Sequence, residues 1–122
     1  MPDRPISNPN QFIQSAAVLQ VAEVVERTDY YHDILGFNCD FVSPEYGVVW
    51  RDNAAIHFGR SDEIQKAARL FLWLIDVDRY YEEILQRGAR ISIEIADRDY
   101  KIRDFAVEDI NGAILVFGQD ID

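Results

Sequence analysis

A chain of 122 residues, 48% hydrophobic and 28% charged, has the make-up of one globular domain with a real core; it is too short for two ordinary domains and too apolar for disorder. Twenty-two acidic against twelve basic residues give a formal net charge of -10, a field that repels phosphate backbones and anionic membranes and argues against both as partners. No apolar run approaches the ~20 residues of a membrane span and no charged-then-apolar leader opens the chain. The lone Cys39 suits a reducing compartment, so a cytoplasmic location is expected.

Residues 1–15 hold three of the four prolines and little periodicity, and read as an arm suited to lying on a partner subunit. A strand follows through Leu19-Gln20-Val21, and an acidic residue stands where a helix should start. Val24, Tyr31, Ile34 and Leu35 fall on one side of that helix, and Gly36 ends it in the left-handed conformation that glycine tolerates. Three strands are predicted next, Phe37 to Val42, Tyr46 to Arg51 and Ala54 to Phe58, broken by Pro44 and the turn pair Asp52-Asn53. Gly59 to Ala68 is a linker, in which Glu63 to Ala68 suits a helical turn.

The pattern then repeats. Leu72-Trp73-Leu74 corresponds to Leu19-Gln20-Val21, and Tyr80-Tyr81-Glu82-Glu83-Ile84-Leu85 echoes Tyr30-Tyr31-His32-Asp33-Ile34-Leu35 at a spacing of 50 positions. Asp76 is placed to cap the second helix, whose Val77, Tyr80, Tyr81, Ile84 and Leu85 share one side before Gly88 stops it. Ile91, Ile93 and Ile95 alternate with Ser92 and Glu94, Lys101 to Val107 makes a further strand, and Asn111-Gly112 signals a tight hairpin into Ala113 to Phe117. The expected fold is α+β: two βαβββ repeats, about 16–59 and 69–118, forming an incomplete half-barrel in one domain over 16–122.

The repeat, with Tyr30 to Phe37 and Phe105-Ala106-Val107-Glu108-Asp109-Ile110-Asn111-Gly112, resembles the vicinal oxygen chelate superfamily, which includes glyoxalase I, extradiol dioxygenases and bleomycin-resistance proteins. The likeness covers nearly everything after Ser15 and selects a fold more sharply than a chemistry. In metal-dependent members, ligands come from the first, fourth, fifth and eighth strands. Carried onto this chain, those positions fall on Ala16, His57, Arg69 and Val116, of which only His57 can bind a metal. One donor does not make a centre, and a guanidinium at Arg69 repels a cation, so no metal and no other cofactor is expected.

Strand parity nominates the ligand face. If Leu70, Leu72 and Leu74 pack on the helices, Arg69, Phe71 and Trp73 face the opposite way, joined by Ala16, Val18, Ile114 and Val116. In strands three and four Trp50 and His57 are the candidates, with Tyr46 on Trp50's face if no bulge intervenes. The candidate ligand-binding set is therefore Tyr46, Trp50, His57, Arg69, Phe71, Trp73 and Val116, rings and apolar groups suited to a planar compound, with Arg69 able to hold a carboxylate or carbonyl. No residue is assigned a catalytic role, although His57 has the chemistry of a general base as well as that of a hydrogen-bonded sheet histidine. His32 reads as a solvated helix residue, Tyr30 and Tyr80 as helix packing, and Cys39 as a small buried hydrophobe.

The resemblance to bleomycin-resistance proteins implies a metal-independent protein that binds and sequesters an aromatic, antibiotic-like small molecule, and the acidic surface favours a cationic one. It also implies a homodimer, since an open sheet leaves edges and apolar surface for a two-fold partner. The alternatives are a lyase or isomerase of the superfamily using His57 as base, metal-dependent only if the ligand positions fall elsewhere, and a domain that merely mediates partner contacts.

Overall fold

The computed structural model describes residues 14–63 and 68–121. The arm expected over 1–15 and the helical turn expected over 63–68 lie, apart from residues 14, 15, 63 and 68, outside the described residues. The chain divides into two compact units, Met1–Gln65 and Lys66–Asp122, and each carries one βαβββ repeat.

In the first unit β1 (Ser15–Val21), α1 (Val24–Asp33), β2 (Asn38–Val42), β3 (Tyr46–Arg51) and β4 (Ala54–Arg60) follow in order. The sheet order is β1-β4-β3-β2, with β1 parallel to β4 and the other pairs antiparallel. Helix α1 covers one face, burying Val24, Tyr31 and Leu35 against Leu19, Val21, Val49, Ile56 and Phe58. The helix lies close to the sheet because Gly47 has no side chain: a Cβ there would strike Thr28 Oγ1 and stand 3.1 Å from Val24 Cγ1. Gly36 ends the helix region at φ 75°, where a Cβ is unfavourable. His32 is exposed yet tied down, its Nδ1 2.8 Å from the Phe37 carbonyl, so that nitrogen carries the proton. The Arg51–Ala54 pair closes β3 and β4 around Asp52-Asn53, with Asp52 left-handed at φ 49°.

The second unit contains β5 (Arg69–Trp73), α2 (Val77–Gln86), β6 (Ile91–Asp97), β7 (Ile102–Glu108) and β8 (Ile114–Asp120), in the sheet order β5-β8-β7-β6. Asp76 caps α2, its Oδ1 accepting from the Arg79 amide at 3.1 Å. Val77, Tyr80 and Ile84 are buried against Phe105, Val107, Leu115 and Phe117. Leu85, expected on the packed side, is exposed. At about 100° per residue it lies a quarter turn beyond Ile84, off the buried stripe.

Other expectations also need correcting. Cys39 is exposed because β2 is the edge strand of its sheet, with β3 on one side only. Asn111-Gly112 does not form a two-residue hairpin; five residues separate Glu108 from Ile114. Asp109 organises that loop, its Oδ1 accepting from the amides of Asn111 at 2.9 Å and Ala113 at 3.0 Å, and Gly112 takes φ 90°. Lys101, at φ 68°, belongs to the turn before β7 and not to the strand. The alternation of Ile91, Ile93 and Ile95 is interrupted: β6 shifts register between Ile91 and Ile93 and again between Ile93 and Ala96.

The two repeats align differently from their most visible echo. Val24 and Val77 begin the helices, 53 positions apart, three more than the 50 between the Tyr-Tyr pairs. The position of Tyr80 is thus occupied in α1 by Arg27. Tyr80 packs on Phe117 with ring centroids 4.9 Å apart, and the buried Arg27 guanidinium sits 5.8 Å over the Phe58 ring in the same way. Tyr30 is consequently only half-buried, against Tyr31.

Candidate functional site

Each sheet has one face covered by its helix and one face free of it, and the pairing register says which side chains share the second. In the first unit Tyr46, Val48 and Trp50 of β3 lie across from Gly59, His57 and Ala55 of β4, with no shift between them. Val18 pairs with His57 and Ala16 with Ala55, so Ala16, Val18, Tyr46, Trp50 and His57 share the helix-free face. The Tyr46 hydroxyl lies 2.7 Å from His57 Nδ1, and the rings meet edge to face at 5.5 Å. With the phenol donating, the imidazole keeps its proton on Nε2. Trp50 stands at the far end of β3, four residues from Tyr46, and all three side chains are half-buried.

In the second unit the same geometry produces three rows. Arg69 pairs with Ile114, which pairs with Glu108. Phe71 leads through Val116 and Ala106 to Ile93, and Trp73 through Gly118 and Asp104 to Ala96. These rows lie opposite Leu70, Leu72, Leu115 and Phe117, the helix-covered side. Phe71 is 43% and Trp73 60% exposed, their ring centroids only 4.7 Å apart. Gly118 makes room for them: a Cβ there would stand 2.6 Å from Phe71 Cζ.

Next to this aromatic pair is a concavity of about 260 Å³ whose lining includes Arg69, Ile93, Arg98, Tyr100, Asp104 and Val116. Asp104 is 5% exposed, and both of its oxygens are engaged, Oδ1 by Arg98 Nε at 2.8 Å and Oδ2 by the Tyr100 hydroxyl at 2.8 Å. Arg98 Nη2 further donates to the carbonyls of Glu94 at 2.8 Å and Asp104 at 3.2 Å. Donation to Asp104 favours the protonated hydroxyl and so raises the Tyr100 pKa. Sequence reasoning missed Ile93, Arg98, Tyr100 and Asp104. The signal was the charged turn Asp97-Arg98-Asp99-Tyr100, which looks like any solvated hairpin until the bulges of β6 aim it at this face.

Of the four positions at which the resemblance places metal ligands, Ala16 and Val116 carry only hydrocarbon and Arg69 carries a cation, leaving His57 as the one donor. Among the described residues no three His, Cys, Asp or Glu side chains are grouped to hold an ion. These residues do not fit the superfamily's metal.

No protein-family model and no curated protein matches the sequence. Solved structures do. The bleomycin-binding protein of Streptomyces verticillus, complexed with copper(II)-bleomycin, shares 22% identity over 88% of this chain and 95% of its own, with a TM-score of 0.75. A glyoxalase/bleomycin resistance protein/dioxygenase from Alicyclobacillus acidocaldarius is 19% identical, covering 96% of each chain at a TM-score of 0.78. The bleomycin resistance determinant encoded on the transposon Tn5 is 18% identical over 88% of this chain and 97% of its own, at a TM-score of 0.77. At such identities the likeness is one of architecture, and it agrees with the strand order and the two repeats: the chain has the vicinal oxygen chelate fold, that of the glyoxalase/bleomycin resistance/dioxygenase proteins.

Proposed function

We propose that this protein is a metal-independent binder of small planar aromatic molecules of the antibiotic-like class, sequestering them without chemistry. The observation that carries the reading is the pair Phe71 and Trp73, their ring centroids 4.7 Å apart and their planes tilted by 55° on the helix-free face, left 43% and 60% exposed. Adjacent rings held in water on a sheet face are costly unless something covers them, and a flat ligand gains most from two rings already ordered. Arg69 and Val116 flank them on the second sheet. Tyr46, Trp50 and His57 offer a second polar-aromatic surface on the first. The fold neighbours lend support, since two of them are described as binding or conferring resistance to bleomycin.

We place the protein in the cytoplasm, where an exposed free thiol at Cys39 is stable. No described helix is long and apolar enough to cross a membrane. A homodimer is part of the proposal: β2 is an edge strand carrying exposed Phe41 and Val42, and a two-fold partner would cover them. Light scattering at low concentration checks this, and a clean monomer removes it.

The test of binding is a tryptophan-fluorescence screen against quinoline-type and other small planar antibiotics, using Trp50→Phe and Trp73→Phe to assign the reporter. Quenching that survives Trp50→Phe and is lost with Trp73→Phe supports the reading. A screen in which no compound perturbs either tryptophan defeats it.

A second reading rests on the other tautomer of the 2.7 Å contact of Tyr46 with His57: with Nδ1–H donating to the phenol oxygen, Nε2 is left free as a general base for a lyase or isomerase. A glyoxalase-related enzyme from Clostridium phytofermentans has the same fold at 17% identity and a TM-score of 0.75. Turnover of a glyoxalase-type substrate abolished by His57→Gln would favour it over sequestration.

A further inference from the structure

The chain's charge of -10 points toward cationic ligands, but the concavity on the face that bears Phe71 and Trp73 has a lining charged the other way. Its concavity is lined by two guanidinium groups, Arg69 and Arg98, and one carboxylate, Asp104. Asp104 is spent: Arg98 and the Tyr100 hydroxyl occupy both of its oxygens at 2.8 Å. Arg98 in turn is held by that carboxylate and two backbone carbonyls. Arg69 is exposed at the start of β5 and makes no ion pair or side-chain hydrogen bond with any described residue. Glu108 shares its row across Ile114 but lies beyond ion-pair range and lines a separate concavity with Arg90. Among the described residues that line this concavity, Arg69 carries the one positive charge left uncompensated.

The rows fix what that charge can reach. Arg69 is one row, roughly 7 Å along the strand, from the apolar line of Phe71, Val116, Ala106 and Ile93. A flat ring laid on that line, beside Trp73, would present a substituent on its edge toward the Arg69 fork. The fork matches the two oxygens of a carboxylate, whereas an ammonium group there would meet like charge with no free acid beside it. The general acidic field is screened within about 8 Å at physiological salt, so the contact group decides which ion is held. Resting on the binding function proposed above, we infer that this face selects aromatic carboxylates: a planar ring system bearing an anionic carboxylate, bound with the ring on the Phe71–Val116 line and the carboxylate on Arg69. About 260 Å³ is less than the roughly 300–1,000 Å³ of a drug-sized site, so the concavity takes one such ring and not a whole large antibiotic.

The test is a calorimetric titration of the full chain with two probes that share a ring and differ in charge, 2-naphthoate and 2-naphthylmethylammonium, on the native protein and on Arg69→Gln. Because Arg69 is exposed, that variant keeps its fold, which circular dichroism checks. The expected result is binding of naphthoate about tenfold tighter than of the ammonium probe at low salt, as suits a charge-assisted pair. The gap should shrink with added salt and close to within about twofold in Arg69→Gln. Equal or tighter binding of the ammonium probe, or a naphthoate preference that survives Arg69→Gln, overturns the charge assignment while leaving ring binding intact. Failure of both probes to bind overturns the binding function itself and this inference with it.

Discussion

Gly118→Ala separates the ligand surface from the core more sharply than truncation of any large side chain. Gly118 pairs with Trp73 on one side and Asp104 on the other, on the helix-free face. An added methyl would stand 2.6 Å and 3.2 Å from Phe71 Cζ and Cε1, and 3.0 Å from Ile102 Cγ2. Something must move, and the Phe71 ring, 43% exposed, can swing outward into solvent. Driving it off its rotamer costs about 0.5–1.5 kcal/mol, and disturbing its contact with Trp73 a further ~0.5–1.5 kcal/mol. Replacing glycine within a strand returns about 0.5–1 kcal/mol. The net loss is about 1 kcal/mol, or a fall in Tm of about 3–8 °C. A planar probe loses one of its two rings, worth about 2- to 10-fold in affinity. Gly47→Ala is the control: its methyl meets Thr28 and Val24 under α1, both buried, so the helix must lift, at about 2–3 kcal/mol, with probe affinity unchanged. Thermal melts and 2-naphthoate titrations of both variants read the contrast. If Gly118→Ala destabilises more than Gly47→Ala and leaves affinity untouched, the assignment of this face to ligand is refuted.

Trp73→Ala should cost about 1 kcal/mol in stability while weakening planar ligands, because the ring is 60% exposed, whereas Phe117→Ala, at 1% exposure, should cost about 3–5 kcal/mol by denaturant melt. Asp109→Ala strips two amides of their acceptor in the turn before β8 and should lower stability by about 1–2 kcal/mol, with Asp109→Asn recovering part of it. The Cys39 thiol is held above its ordinary pKa by local desolvation and then by the carboxylates of Asp29 and Asp40. Near neutral pH it should therefore react with a disulfide reagent more slowly than a free cysteine, and Asp29→Asn with Asp40→Asn should speed it. The folded Tyr100 pKa is raised by its bond to Asp104, so this bond contributes stability below the ordinary tyrosine pKa that is lost as pH rises through the folded value. Tyr100→Phe should remove one late-titrating phenol from the alkaline absorbance curve and flatten the accompanying loss of stability.

How far the molecule can be read from its sequence depends on where the chain stays regular. β5 is five residues without a bulge, so alternating Leu70 and Leu72 with Phe71 and Trp73 is enough to sort its two faces. β3 and β4 are equally regular, which lets Tyr46, Trp50 and His57 be grouped on one side. β6 is not: two register shifts put Ile91 opposite the core residue Val107 and Ile93 opposite Ala106 on the other face, though both occupy alternate positions. Period-two reasoning carries no information about such shifts, and so the Arg98–Tyr100–Asp104 cluster stayed hidden. The Tyr-Tyr echo misleads for a related reason. Arg27 and Tyr80 fill the same place over Phe58 and Phe117, and a guanidinium and a phenol that do the same packing look unrelated as letters. Exposure of Cys39 depended on β2 being an edge strand, a property of sheet order that no local pattern records.

Rings and one guanidinium must suffice to hold a ligand here, because His57 is the one metal donor among the four positions at which the resemblance places metal ligands. The direct measurement is the 2-naphthoate isotherm of the purified protein before and after exhaustive chelation, with metal content determined on the same samples. Superimposable isotherms at negligible metal content are predicted. An isotherm that collapses on chelation and returns with stoichiometric nickel, zinc, iron or manganese would contradict the account.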